Sequence, residues 1–265
     1  MMGILLLFLL QCQIAFCMEC KDDITYTIEN TVMTINGNGE MCDYYSVSPY
    51  TEAMKTETIT EIVISNGITS IGQRAFAEMS SVTKLTIGNT VERIGRGAFY
   101  QLNVEELRIP SSVITIEEDA FSTMRSLTSV IFEETSQVKT IGKGAFKQCE
   151  KITEIELPDS VESIGTKTFE GCTSLKKVTI GKNVKEIGRY VFVKCQSLVE
   201  IVVHEENQNF SDDNHKALMS KDKKRIIRYA YGLTDSLYVV PEGVEVIENE
   251  SFEGSLIEQI DLPNT

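Results

Sequence analysis

Ile155-Glu156-Leu157-Pro158-Asp159-Ser160-Val161-Glu162-Ser163-Ile164-Gly165-Thr166-Lys167-Thr168-Phe169-Glu170-Gly171-Cys172-Thr173-Ser174-Leu175 is the stretch from which the fold is read. It opens on an apolar/polar alternation, turns at Pro158, and places Phe169 five residues after Ile164. That Ile-to-Phe spacing occurs seven times: Ile71/Phe76, Ile94/Phe99, Ile116/Phe121, Ile141/Phe146, Ile164/Phe169, Ile187/Phe192 and Ile247/Phe252. Successive Phe steps are 23, 22, 25, 23, 23 and then 60 residues. A period in the low twenties marks a solenoid, in which each unit buries its apolar face only against its neighbours. Solenoids present long solvent-facing surfaces, so binding is the expected class of function and chemistry is not.

Each repeat begins with a period-2 run, as in Glu61-Ile62-Val63-Ile64, Lys84-Leu85-Thr86-Ile87, Glu106-Leu107-Arg108-Ile109 and Lys177-Val178-Thr179-Ile180. This alternation predicts a strand with its second and fourth residues inward. Gly88, Pro110, Pro158 and Gly181 then turn the chain away. A second extended piece ends at the Ile, the Ala/Phe pair plugs the interior, and a loop returns to the next strand. The expected fold is mostly β: a parallel sheet with one strand per ~23-residue repeat.

Blocks such as 155–175, repeating in register, resemble the BspA-like class of leucine-rich repeat from about Ile59 to Thr265. The segment Tyr26-Thr27-Ile28 to Val32-Met33-Thr34-Ile35-Asn36-Gly37-Asn38-Gly39-Glu40-Met41 is similar to the hairpin cap that opens such proteins. The resemblance implies surface or secreted proteins of bacteria and parasitic protists, associated with adhesion.

Residues 4–10 form an apolar run, with Ala15 and Cys17 placed as the small residues before a cleavage site. This predicts a signal peptide over 1–17 and export to the cell surface or beyond. No transmembrane span is expected in the mature chain. The further divisions are an N-terminal cap over 18–58, regular repeats over 59–204, a hairpin island over 205–240 and a final incomplete repeat over 241–265. Cys20 and Cys42 fall in the cap, where a short export-bound segment gains from a disulfide. Cys149, Cys172 and Cys195 are spaced 23 and 23 apart and are expected to be buried apolar side chains.

The formal net charge is −14, which argues against nucleic acid as a partner. Against that background, Lys221, Lys223, Lys224, Arg225 and Arg228 crowd into eight positions. They lie on a predicted strand–turn–strand and form one candidate binding site, for an acidic protein or a sulfated or sialylated glycan. The other candidate is the outward sheet face, where Val63, Arg108, Ile131, Glu156 and Val202 lie in one column. A polar strip with apolar spots suits a protein partner.

The two histidines, His204 and His215, have no nucleophile signature beside them, and the acidic pairs have no cleft, so no catalytic residues are assigned. No metal or cofactor site is expected. Asp212-Asp213-Asn214 lacks the alternation of a calcium loop. Asn209 and Asn249 head Asn-x-Ser sequons, relevant in a eukaryotic source. Leu262-Pro263-Asn264-Thr265 imitates the start of a sortase signal but occupies the repeat position of Leu157-Pro158-Asp159-Ser160. The expected partner is an extracellular protein or glycan. The alternative is self-association of a surface scaffold through an uncapped C-terminal end, where apolar side chains and strand edges would be open.

Overall fold

The computed structural model describes residues 24–263. The signal segment 1–17 and Cys20 lie outside the described residues. The chain winds as a stacked series of β coils, almost without helix, and two parallel ladders run along it.

The first ladder is the alternating strand of each repeat. It runs through Val32–Asn36, Glu61–Ile64 and Lys84–Thr86, then Glu106–Ile109 and Ser129–Phe132, then Glu154–Glu156, Lys177–Ile180 and Glu200–Val203. Inward residues such as Ile62, Leu107, Val178 and Ile201 are buried, as the alternation requires. The sheet is in segments: strands Lys84–Thr86 and Glu106–Ile109 do not pair, nor do Ser129–Phe132 and Glu154–Glu156. The first gap falls at the 22-residue step, where the loop after Phe99 is one residue shorter than the loop after Phe76. The second follows the 25-residue step, where Phe132 to Ile141 is two residues longer than Ile109 to Ile116. Parallel pairing needs matched strand height, and a length change offsets one strand against the next.

The second ladder is a seven-stranded sheet of short strands from Gly39–Glu40 to Glu186–Ile187. Beyond the first strand, each ends on the repeat Ile, with Ile71 opposite Ile94, Ile94 opposite Ile116, and Ile141 opposite Ile164. It survives the length changes because the Ile-to-Phe spacing never varies. Between the ladders the repeat Phe rings stack face to face. Phe76, Phe99, Phe121, Phe146, Phe169 and Phe192 follow one another at 5.4–5.8 Å, with interplanar angles of 6–16°. All six are fully buried.

The N-terminal end is closed by the antiparallel hairpin Thr25–Glu29/Val32–Asn36 and by the one-turn helix Pro49–Ala53. Tyr50 of that helix lies 5.0 Å from Phe76 and heads the ring stack. Ser48 caps the helix and also donates from Oγ to the Ala75 carbonyl. At the far end a smaller apolar cluster forms around Met219, Ile226, Tyr229, Tyr238 and Val240.

The glycine that follows the repeat Ile allows close stacking of coils. A Cβ on Gly165 would stand 2.4 Å from the Lys143 backbone nitrogen. In contrast, Glu117 occupies this position in its repeat. Its carboxylate holds Arg93 at 2.7 and 3.0 Å and accepts the Arg96 backbone N–H at 3.0 Å.

Candidate binding surfaces

The outward face of the first ladder carries the column expected from the sequence. Arg108 and Glu156 are exposed, and Val63, Ile131 and Val202 are half-buried, all with side chains away from the core. The neighbouring column pairs opposite charges across strands: Lys84 to Glu61 at 2.8 Å and Lys177 to Glu200 at 3.6 Å. Such exposed pairs contribute little stability, about 0–1 kcal/mol each, but they fix register. On this face Arg108 turns to Glu106 at 2.9 Å.

Segmentation of the sheet shapes this face. Where strands Lys84–Thr86 and Glu106–Ile109 part, a groove of about 680 Å³ opens, lined by Lys84, Thr86, Asn103, Glu106, Arg108 and Ser126 among others. Of these, Lys84, Thr86, Glu106 and Arg108 lie on the outward sheet face expected from the sequence, and Arg108 is in the column assigned to binding. Asn103 and Ser126 belong to loops, and the signal for them is the single 22-residue step, which marks where the ladder opens.

The island forms the strand–turn–strand that its residues predict. Ala217–Ser220 pairs antiparallel with Arg225–Tyr229, and Phe210–Asp212 adds a third antiparallel strand. Its cations differ in availability. Lys224 pairs with Glu245 at 2.5 Å and Arg225 with Glu248 at 2.7 Å, both acids lying beside the adjacent strand Val246–Ile247. Arg228 is buried; its Nη1 donates to the Glu250 carbonyl, and its guanidinium lies 5.8 Å from the Tyr231 ring. Burial holds the Arg228 pKa below the ordinary arginine value. Lys221 donates to the Glu205 carbonyl at 3.1 Å, and Lys223 occupies a left-handed turn position at φ 58°. The run therefore presents fewer free charges than its five residues imply.

Cys42 is disulfide-bonded, and Cys20, the partner expected for it, lies outside the described residues. Cys149, Cys172 and Cys195 are free and buried, as their spacing predicts. Each thiol donates to the carbonyl of a repeat Phe in the preceding coil: Phe121 at 3.3, Phe146 at 3.2 and Phe169 at 3.0 Å. Desolvation pushes the pKa values of Cys149 and Cys195 up to about 12, which leaves them inert. Among the described residues, no group of three His, Cys, Asp or Glu side chains is placed to hold a metal ion.

Of the sequon residues, Asn209 is exposed and donates from Nδ2 to the Val184 carbonyl at 3.2 Å. Asn249 is exposed, but Ser251 is buried, its hydroxyl 2.6 Å from the Glu248 carbonyl and 3.0 Å from that of Ile226. At the last coil, Val239, Leu256 and Leu262 are more than half exposed, and Ile247 and Ile260 are partly so. No helix of the described residues is long and apolar enough to cross a membrane.

Parallel coils with one long strand each, an invariant Ile-to-Phe plug and an uninterrupted ring stack define a leucine-rich-repeat solenoid. The chain belongs to the family described as the BspA type leucine rich repeat region, whose model matches residues 50–138 and 133–222 with six copies. Three solved structures share the fold. A leucine-rich repeat protein from Eubacterium ventriosum is 23% identical, with a TM-score of 0.64 over 91% of this chain and 60% of its own. A leucine rich cell surface protein from Faecalibacterium prausnitzii is 22% identical, with a TM-score of 0.66 over 95% of this chain and 77% of its own. The pneumococcal vaccine antigen PcpA is 22% identical, with a TM-score of 0.54 over 94% of this chain and 65% of its own. The chain thus spans 60% of the length of the Eubacterium structure. No curated protein matches the chain.

Proposed function

We propose that the chain is a non-enzymatic recognition protein, exported and displayed at or beyond the cell surface, and that it works as an adhesin binding an extracellular protein through its segmented sheet face. The observation that carries this reading is the groove at the first sheet break. There a polar rim of Lys84, Glu106 and Arg108 adjoins a face with the apolar spots Val63 and Ile131. Protein interfaces combine such a rim with apolar anchors. The family supports a role in binding, and the Faecalibacterium relative is itself described as a cell surface protein. The island is the lesser surface in this reading, because its Lys224 and Arg225 are paired with acids and its Arg228 is buried.

The test is binding of the chain from Met18 onward to a panel of immobilised extracellular-matrix proteins. A parallel variant carries Val63→Glu, Arg108→Glu and Ile131→Glu on the sheet face. A second carries Lys221→Ser and Lys223→Ser in the island. Loss in the first variant alone supports the sheet face, and loss in the second alone transfers the site to the island. No binding by the parent chain overturns the adhesin.

A second reading, self-association as a surface scaffold, is favoured by the apolar side chains exposed at the last coil, Val239, Leu256 and Leu262. In that case sedimentation shows oligomers growing with concentration, and Val239→Lys with Leu256→Lys abolishes them.

A further inference from the structure

The turn that follows each repeat Ile carries charge unevenly along the solenoid. Three consecutive turns, 142–149, 165–172 and 188–195, hold Lys143, Lys147, Lys167, Arg189 and Lys194 against Glu170 alone. Five cations less one acid leave +4 on these three turns, in a chain whose formal charge is −14. This edge lies at the Phe end of the repeat and shares no residue with the sheet-face column.

Glu170 stands at its centre. Its side chain is 11% exposed, and the ammonium groups of Lys147, Lys167 and Lys194 lie 3.3, 3.5 and 3.8 Å from its carboxylate oxygens. Its Oε2 is buried and has no hydrogen bond. One carboxylate therefore gathers three ammonium groups from three successive coils and offsets only one of them. Of the flanking cations, Lys143 pairs with Glu118 at 2.7 Å, whereas Arg189 has no ion pair among the described residues.

The rise between the coils that carry these charges is set by the backbone. The Phe146 N–H donates to the Thr168 carbonyl and the Phe169 N–H to that of Val191, each at 3.0 Å, so the coils rise by about one strand spacing, ~4.8 Å. Beside the cluster the Tyr190 ring is exposed, with Lys167 Nζ 5.7 Å from its centroid and its hydroxyl donating to the Glu250 carboxylate at 2.9 Å.

We propose that this edge binds a linear sulfated polysaccharide, with sulfates at the lysine cluster and a sugar ring against Tyr190. Three ammonium groups gathered from successive coils around one carboxylate make a dense cationic cluster that suits the closely spaced anions of a sulfated chain. An exposed aromatic ring beside such a cluster suits the apolar face of a sugar. A protein partner is disfavoured because Tyr190 is the one large hydrophobic side chain exposed on these turns, and protein interfaces need an apolar core. Long nucleic acid is disfavoured by the acidity of the rest of the surface.

The test uses the chain from Met18 onward and heparin as the probe, with affinity measured across a salt series. A quadruple variant, Lys147→Ser, Lys167→Ser, Lys194→Ser and Glu170→Gln, removes the cluster without leaving a buried carboxylate unpaired. It should weaken binding by roughly tenfold and lower the slope of log affinity against log salt by about 2–3. Glu170→Gln alone frees the three ammonium groups and should tighten binding by about two- to fivefold. This single variant carries the test should the quadruple variant not fold. Unchanged affinity in the quadruple variant overturns the proposal, as does weaker binding by Glu170→Gln. Equal affinity for single-stranded DNA of matched charge overturns the assignment to polysaccharide. The sheet-face variant above should bind heparin like the parent, so this result stands apart from the matrix-protein assay.

Discussion

The Tyr229 ring lies 5.2 Å from Phe252, and its backbone N–H donates to the Ser251 carbonyl at 2.9 Å. Phe169 makes the same backbone bond to Val191, at 3.0 Å, and its ring stacks on Phe192. Tyr229 and Phe252 are 23 residues apart, and Ile226 pairs with Ile247 as Ile71 does with Ile94. Within the 60-residue gap, the second strand of the hairpin therefore serves as a coil of the solenoid, with Tyr in place of Phe. Tyr229→Ala should cost about 3–5 kcal/mol of stability and Tyr229→Phe less than about 1, measured by denaturant unfolding. Equal losses in the two variants would show that the hydroxyl, 3.4 Å from Asp235, matters more than the ring.

In the middle of the ring stack, Phe121→Ala leaves a cavity between Phe99 and Phe146, whose rings lie 5.6 and 5.4 Å from that of Phe121. The expected loss is about 3–5 kcal/mol. Since each coil contacts only its neighbours, hydrogen exchange should quicken most near residues 99–146 and least in the hairpin. Uniform quickening would contradict this local coupling.

Two glycines separate close approach from backbone conformation. Gly165→Ala drives a methyl into the Lys143 backbone, 2.4 Å away, and should cost about 3 kcal/mol. A Cβ on Gly97, at φ +57°, would meet nothing closer than 3.7 Å, so Gly97→Ala incurs only the left-handed penalty of about 1 kcal/mol. Thermal unfolding of the two variants gives the order directly.

The buried thiols set an alkaline limit. Cys149 and Cys195 are raised from 9.0 to about 12 by desolvation, and Cys172 is raised as well. Above pH 9 the unfolded chain loses these protons while the folded chain keeps them. Their contribution is thus intact below pH 9 and is lost as pH rises toward 12, by up to about 1.4 kcal/mol per thiol per pH unit. Unfolding free energies measured from pH 8 to 11 should fall on this slope, and Cys149→Ser with Cys195→Ser should flatten it. In the native state at pH 8 the three thiols should resist a disulfide reagent. Rapid labelling would refute their burial.

At the first sheet break, the amides of Glu106 and Arg108 should exchange with solvent faster than those of Lys177 and Thr179, which lie within a paired segment. Inserting one Ser after Asn103 restores the 23-residue step. It should slow exchange at Glu106 and Arg108 as the strand rejoins Lys84–Thr86. Unchanged exchange would mean that the loop length does not cause the gap.

The solenoid, its strands and the burial of the cysteines were legible because they rest on period and alternation. Ile164 and Phe169 say where the core is wherever they recur, since stacking identical coils leaves one way to bury them. The strand–turn–strand at 217–229 was legible for the same reason, from local pattern. What only the tertiary structure decided is how residues far apart in the chain meet at these surfaces. Glu245 and Glu248 neutralise Lys224 and Arg225, some twenty residues earlier, because a hairpin strand takes a place in the ladder. Glu170 gathers lysines from three coils because backbone bonds stack those coils one strand spacing apart, within reach of one carboxylate. Charge interactions depend on distance in space, and repeat spacing specifies that distance only within an unbroken ladder. Where step length changes or a hairpin enters, the packed chain alone determines which charges and which strand edges stay open.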